Sequence, residues 1–124
     1  MRNRIYTAVA VAAALLATAS PAQASGGAQA GPVGIGVIGS GLRVKEVRAL
    51  LDGWEPGARA RVSLWRGGRF DQWVTQWKAT ASRDVAGYKH EFASWKLNRD
   101  YPHKSRLCVE FEHTSERPCV TIQR

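Results

Sequence analysis

The sequence lacks the motifs by which many enzymes are recognised. It contains no serine nucleophile elbow of the form G-x-S-x-G and no H-E-x-x-H metalloprotease motif, since His90-Glu91 has no second histidine in place. Basic residues never follow one another in a run of more than two, and no specific nucleic-acid motif is present. We therefore predict a protein that is not an enzyme and that has no cofactor and no metal.

Long apolar runs are also scarce. The longest, Ile5 to Ala19, is shorter than the roughly 20 residues of a membrane-spanning helix. It follows a basic start and precedes a small-x-small cleavage site that ends at Ala24, which is typical of a secretory signal peptide. Ala28-Gln29-Ala30 offers a second cleavage site. We predict a secreted, extracellular protein with residues 1–24 removed and no membrane span left after cleavage.

Cysteine is scarce as well, and Cys108 and Cys119 are the two in the chain. With His103 and His113 they form the pattern H-x4-C-x4-H-x5-C. Zinc modules usually keep at least one pair of ligands about two to four residues apart, and this pattern has no such pair. Because an exported protein meets oxidising conditions, we predict a disulfide between Cys108 and Cys119 instead.

Residues 25–40 are rich in glycine and carry no charge. We predict a flexible leader here, whose second half, Val33 to Ile38, fits a first strand as well as a tether. Its glycines match the dinucleotide-binding pattern G-x-G-x-x-G at Gly34, Gly36 and Gly39. Only Val33 would precede them as a strand, and the remaining chain is too short and too rich in β pattern for a parallel βαβ unit. The glycines therefore predict no cofactor site.

Residues 58–65 alternate strictly between apolar and polar side chains, as a half-buried strand does. Gly67-Gly68 follows and predicts a two-residue hairpin turn with Trp65 opposite Phe70. In this register Trp73 and Trp77 lie opposite the small, inward-facing side of the first strand, so we expect both rings in the core. The outer face then collects aromatic, arginine and amide side chains: Arg59, Arg61, Trp65, Phe70, Gln72 and Gln76.

The rest of the chain repeats short β patterns at a spacing of about ten residues. Residues 42–53 fit a strand or a helix, and we favour a strand because of this rhythm. "SRLCVEFEH" and "PCVTIQ" predict a closing hairpin in which Cys108 pairs with Cys119 and Glu110 lies opposite Arg117. We predict an all-β domain over residues 41–124, a small antiparallel β-sandwich of Ig-like or Greek-key type with about six or seven strands.

These features together resemble a known group of proteins. A signal peptide, a glycine-rich leader, "GSGLRV" at the start of the domain and the "LCVEF" and "PCVTI" hairpin are similar to short secreted one-disulfide β-proteins of actinobacterial type. The resemblance covers roughly residues 39–124, and its motifs are structural. It implies the compartment and the fold, and because such proteins carry no assigned activity it implies no catalytic residues.

The charge suggests what the protein binds. Lysine and arginine number 18 against 10 acidic residues, for a formal net charge of +8 and a pI near 10.2. A basic protein favours anionic partners such as cell-wall polymers, and exposed aromatic rings beside arginines and amides suit the stacking of sugars or bases. We predict a non-enzymatic binding module for an anionic cell-wall polymer, a glycan or another secreted protein, with the outer hairpin face as its site.

Two other functions compete with this prediction. Residues 79–87 fit a polar loop with Arg83 near its middle, which could insert into a secreted trypsin-like protease and inhibit it. A small basic nuclease is less favoured: its histidines and carboxylates are present, but no spacing brings them together. The candidates for its acid and base are His90, Glu91, His103, Glu110 and Glu112.

Overall fold

A computed structural model describes residues 25–124, and the regular structure in this part of the chain is β-strand throughout. The signal peptide predicted over residues 1–24 lies outside the described residues. The strands follow one another along the chain as β1 (Gly26–Ala30), β2 (Val33–Ser40), β3 (Arg43–Asp52), β4 (Arg59–Arg66), β5 (Arg69–Trp73), β6 (Lys78–Ala79), β7 (Ala81–Val85), β8 (Tyr88–Asp100), β9 (Arg106–Phe111) and β10 (Cys119–Thr121).

The strands form two antiparallel sheets with one core between them. Sheet A has the order β1-β2-β3-β8-β7, and sheet B has the order β10-β9-β4-β5, with β6 pairing separately with β4. The predicted all-β sandwich is confirmed, although the described chain has ten strands rather than six or seven. Strands β1, β6 and β7 account for the difference. They are short, and their sequences show no alternation of apolar and polar residues from which a strand could be predicted.

The glycine-rich leader is part of sheet A. β1 and β2 form a hairpin in which Gly26 lies opposite Val37 and Ala30 lies opposite Val33. The strand expected from Val33 is confirmed, whereas the flexible leader before it is wrong, and the sandwich begins at Gly26 rather than near residue 41. Every second residue of β2 places an apolar side chain in the core, and Val33 among them is fully buried. Gly34 and Gly36 lie between these residues. Burial of the apolar side chains holds β2 against the core.

Residues 43–52 form the strand β3, as favoured from the sequence. Val44 and Val47 are an odd number of residues apart, yet both are fully buried. A bulge explains this: Glu46 lies opposite Ile38 and Val44 lies opposite Gly39, so β3 has one extra residue, Lys45, against β2, which returns Val44 to the inner face. One irregular position therefore explains why the buried residues before it and after it do not follow the same alternation.

The β4–β5 hairpin turns at Gly67 and Gly68 as predicted. Both have positive φ angles, 59° and 77°, which a two-residue turn of type I′ requires and which glycine adopts without strain. Trp65 lies opposite Phe70 as predicted. The register then slips at Leu64, which pairs with Gln72, so that Trp73 lies opposite Ser63 instead of Val62.

This bulge overturns the prediction that Trp73 and Trp77 are core residues. A shift of one residue moves a side chain to the opposite face of its sheet, and Trp73 is consequently 45% exposed. Trp77, beyond the end of β5, is half-buried. The inner surface of β4 is instead covered by sheet A, and its residues Ala60, Val62 and Leu64 belong to the common core.

The closing hairpin carries the disulfide. Cys119 lies opposite Cys108 and the two are bonded, so the predicted disulfide is confirmed. The predicted pair of Glu110 with Arg117 is wrong: Glu110 lies opposite Arg61 of β4 and accepts a hydrogen bond from it at 3.0 Å. β10 pairs with β9 from Cys119 onward, so Arg117 precedes the ladder and is free to turn toward sheet B's outer face.

A buried carboxylate ties the two sheets together at one side. Glu91 of β8 lies opposite Leu51 on the inner face of sheet A and is fully buried. It accepts hydrogen bonds from the Thr80 hydroxyl at 2.7 Å, the Ser82 hydroxyl at 2.6 Å and the Glu55 backbone N–H at 2.8 Å. Thr80 stands where the chain crosses from sheet B to sheet A, so this carboxylate fastens the crossover, the edge strand β7 and the β3–β4 loop to β8.

Candidate functional site

Aromatic side chains collect on the outer face of sheet B, on the side away from the core. Trp65 of β4 and Phe70 of β5 are a cross-strand pair, and Trp73 lies opposite Ser63, so these three rings share one face. Phe70 and Trp73 are 43% and 45% exposed. We call Trp65, Phe70, Trp73 and Trp77 the aromatic face.

The rings of the aromatic face contact one another in series. Trp65 meets Phe70 edge-on, with ring centroids 5.7 Å apart and planes at 80°. The ring centroids of Phe70 and Trp73 are 4.7 Å apart, and the two ring planes meet at 56°. The Trp65 indole N–H also donates to the hydroxyl of the buried Ser63 at 2.9 Å, which fixes the ring at its polar end. Such ring pairs each stabilise by about 0.5–1.5 kcal/mol beyond the area they bury.

Arginine side chains pack against the rings of the aromatic face. The Arg61 guanidinium carbon lies 3.3 Å from the Trp73 ring centroid and 4.1 Å from that of Trp77, so one cation lies against two indoles. Arg117 lies 3.7 Å from the ring centroid of Trp65. Each such contact stabilises by about 0.5–1 kcal/mol where it is exposed. The arginines therefore orient the rings and cover part of their surface.

The two arginines of β4 are paired with carboxylates of β9. Arg61 donates to Glu110, and Arg59 donates from Nε to Glu112 at 2.9 Å and again from Nη2. The hydrogen bond from Arg59, together with its positive charge, lowers the pKa of Glu112 below its usual value. Both arginines thus have their charge balanced locally, and this part of the aromatic face carries little net charge.

A cleft of about 390 Å³ opens at this end of the face, a volume at the small end of the usual range for ligand sites. Its walls combine rings with hydrogen-bonding groups: Arg59, Arg61, Trp73, Thr75, Gln76 and Trp77. The segment after β5 is tethered to β4, since the Val74 backbone N–H donates to the Val62 carbonyl at 2.9 Å and the Val62 N–H donates to the Thr75 hydroxyl at 3.0 Å. The cleft is therefore built from anchored parts.

Most of the residues predicted for the binding face are brought together by the structure. Arg59, Arg61, Trp65 and Phe70 lie on the outer face, and Gln76 lines the cleft. Gln72 does not join them, because after the bulge it lies opposite the inward-facing Leu64. Trp73 and Trp77 belong to the site and were missed, since strict alternation places them on the inner side.

The loop proposed for protease inhibition is a strand. Arg83 lies in β7, opposite His90 of β8, with its guanidinium 4.1 Å from the ring centroid of Phe92. Its carbonyl accepts a hydrogen bond from the indole of Trp54 at 2.8 Å. The prediction of an open polar loop over residues 79–87 is therefore wrong, and Arg83 is held flat against the sheet rather than projected toward a protease.

The groups considered for a nuclease do not converge. His90 is 5% exposed and stacks on Tyr88 near the start of β8, whereas His103 follows the other end of that strand. The two histidines are 13 positions apart in the sequence, and β8, which covers most of that segment, spans roughly 40 Å at about 3.3 Å per residue. Glu110 and Glu112 accept hydrogen bonds from arginines, and Glu91 accepts hydrogen bonds from three donors.

Residues 25–124 contain no group of three or more histidine, cysteine or acidic side chains arranged to hold a metal ion. Cys108 and Cys119 are joined in the disulfide, so neither is a thiolate that zinc could bind. The described part of the chain also has no helix that could span a membrane.

The described residues form a small β-sandwich that contains a disulfide. The outer surface of sheet B exposes the aromatic face, and arginine side chains contact its rings. Comparison of the chain with protein-family models, with curated proteins and with solved structures finds no match. The resemblance to secreted proteins of actinobacterial type consequently stays a prediction.

Proposed function

We propose that the protein is a non-enzymatic, secreted glycan-binding module whose ligand lies on the aromatic face of sheet B. The observation that carries this proposal is the pair of exposed rings, Phe70 and Trp73, leading into a cleft that also offers arginine, glutamine and threonine groups. A sugar ring presents C–H groups on its faces and hydroxyls at its edge, so it suits a surface that joins flat apolar rings to hydrogen-bond donors.

The electrostatics of the cleft favour sugar rings over a bare polyanion at this position. Arg59 and Arg61 are already paired with Glu112 and Glu110, so an incoming anion would compete with carboxylates held at hydrogen-bond distance. A neutral hydroxyl makes no such demand, because it can bond to the outer edges of these ion pairs. Binding in the cleft should therefore depend little on salt, unlike binding driven by phosphates or sulfates.

The first test is the affinity of the protein for soluble polysaccharides, measured by titration calorimetry with xylan, a mixed-linkage β-glucan and chitin oligosaccharides. Trp73→Ala is expected to weaken binding about tenfold, on the premise that a sugar face on one indole contributes toward the lower end of the roughly 1–3 kcal/mol that a nucleobase gains on an aromatic ring. Trp54→Ala is the matched control, because Trp54 is 53% exposed and lies in the β3–β4 loop, outside the aromatic face. Absence of binding to every polysaccharide, or an equal loss in both variants, would contradict the proposal.

Secretion is part of the same proposal. It is supported by the apolar run and cleavage site before residue 25 and by the disulfide, which persists in oxidising compartments. We expect the protein recovered from the culture medium to begin at Ser25 when its N-terminus is read by mass spectrometry. Retention inside the cell with residues 1–24 still attached would contradict this expectation.

A further inference from the structure

A second cleft, of about 560 Å³, opens between the β4–β5 turn and the loop that joins β8 to β9. We call it the basic cleft. Arg66 and Arg69 stand on one wall, on either side of the glycine turn, and Lys104 stands on the other. Phe70 lines the cleft at the same time as it forms part of the aromatic face. The two sites therefore share a side chain.

The charge of the basic cleft is balanced less completely than that of the two arginine–glutamate pairs between β4 and β9. Arg59 and Arg61 are hydrogen-bonded to glutamates, whereas here three cations face one carboxylate, Asp71, whose nearest oxygen is 3.9 Å from Arg66. Arg69 and Lys104 make no salt bridge with any of the residues 25–124. The cleft is thus a concave surface with an excess of positive charge.

The cations of the basic cleft repel one another, and a bound anion would reduce this repulsion. Arg66 and Arg69 are directly opposite each other across two strands, where like charges repel and destabilise a hairpin. Lys104 is in the left-handed backbone region at φ 69°, and its N–H donates to the Ile122 carbonyl, so the loop fixes the backbone from which its side chain extends into the cleft. An oxyanion placed between these groups would remove the repulsion and accept several charge-assisted hydrogen bonds.

We propose that the ligand is an acidic polysaccharide, whose sugar rings lie on the aromatic face and whose carboxylate, sulfate or phosphate group binds in the basic cleft through Arg66, Arg69 and Lys104. The proposal rests on the glycan-binding function proposed above and specifies the class of glycan. Phe70 provides the physical link, because a chain that stacks on Trp73 and Phe70 reaches the basic cleft without leaving the surface.

The test compares polymers that differ in charge and share a backbone: polygalacturonate with its methyl ester, and dextran sulfate with dextran. We expect the protein to bind each charged polymer more tightly than its neutral counterpart, with an advantage that shrinks as salt is raised. Teichoic-type polyglycerol phosphate is a third probe: it carries phosphate but no sugar rings to lie on the aromatic face, so we expect it to bind more weakly than the charged polysaccharides, and tighter binding would contradict the proposal. Equal affinity for charged and neutral forms would overturn the proposal.

Paired variants locate the effect. Arg69→Ser combined with Lys104→Ser is expected to lower the affinity for the charged polymers about tenfold while leaving the neutral forms unaffected. Lys45→Ser combined with Lys96→Ser removes the same charge from exposed positions on sheet A and should leave binding unchanged. An equal loss in both double variants would show a general effect of net charge and would contradict a site in the basic cleft.

The two proposals fail in different ways. If Trp73→Ala abolishes binding and the Arg69 and Lys104 variant changes nothing, the aromatic face stands and the acidic-ligand inference falls. If the charged polymers bind through Arg69 and Lys104 and Trp73→Ala has no effect, the glycan proposal falls and the basic cleft remains as a simple anion site.

Discussion

Replacing Glu91 by glutamine is expected to lower the free energy of unfolding by about 2–3 kcal/mol at neutral pH. The carboxylate of Glu91 is fully buried and accepts hydrogen bonds from Thr80, Ser82 and the Glu55 backbone. All three partners donate, so an amide in this place turns an N–H group toward donors and leaves at least one of them unsatisfied. Urea denaturation followed by tryptophan fluorescence measures the loss.

The pH dependence of this loss follows from the pKa of Glu91. Burial alone raises the pKa of this carboxyl, but the hydrogen bonds from Ser82, Thr80 and the Glu55 N–H, with the charge of His90, outweigh it and hold the pKa below the usual value. A carboxyl whose pKa is lowered by folding stabilises the native state above its unfolded pKa, and this contribution is lost as the pH falls through the folded value. The difference in unfolding free energy between native protein and Glu91→Gln should therefore shrink as the pH falls below about 4.3, the usual pKa of an unfolded glutamate.

Glu46→Gln provides the control for Glu91→Gln. Glu46 forms a partly exposed ion pair with Arg48 at 2.8 Å, and Arg48 is the one donor to its carboxylate within residues 25–124, in contrast to the three donors around Glu91. Such pairs contribute at most about 1 kcal/mol, so this variant should remain close to the native protein throughout. A Glu91→Gln variant that matches Glu46→Gln at neutral pH, or a difference from the native protein that does not change between pH 7 and pH 3.5, would refute the account of the buried carboxylate.

The second large effect is expected from the disulfide. Replacing Cys108 and Cys119 together by alanine should destabilise the fold by about 3 kcal/mol, because the bond closes a loop of roughly 12 residues and restricts the unfolded chain. The effect should be felt most in β10, which has three residues and pairs with β9 alone. Hydrogen exchange of Val120 and Thr121 is expected to accelerate before that of β4 or β9.

A reducing agent separates this effect from cavity formation. Dithiothreitol should destabilise the native protein by a similar amount and leave the double alanine variant unchanged. If the variant is as stable as the native protein, or if the reducing agent also weakens the variant, the disulfide is not the source of the stability. Arg117, two residues before Cys119, stacks on Trp65, so glycan affinity should fall in parallel if β10 loosens.

The sequence predicted the elements that rest on strict alternation and failed where one residue breaks it. Val62 and Leu64 point inward, and the Cys108 and Cys119 hairpin forms as expected. The bulge near Leu64 then reverses the faces of every residue after Asp71, which moved Trp73 from the core to the surface. Neither that bulge nor the one before Glu46 is marked by glycine or proline at the inserted position.

The candidate site was predictable in part for the same reason. Arg59, Arg61, Trp65 and Phe70 lie within one hairpin whose turn was evident from Gly67-Gly68, so their common face followed from local register. The basic cleft depends on Lys104, which approaches Arg69 only after two separate loops pack at one end of the sandwich. No local pattern encodes that approach, because it arises from the packing of whole elements.

The hairpin at the start of sheet A bears on the two cleavage sites that the sequence predicts. Ala28-Gln29-Ala30, the second of the predicted cleavage sites, lies inside β1, where its backbone is paired with β2. Once the domain has folded, a peptidase would meet this segment as a hydrogen-bonded strand, so processing there must precede folding. A cut after Ala30 would leave sheet A with four strands and turn β2 into an open edge, a template for pairing between molecules. A cut after Ala24 instead leaves the five-residue β1, rather than the longer and more apolar β2, as the edge strand of the sheet.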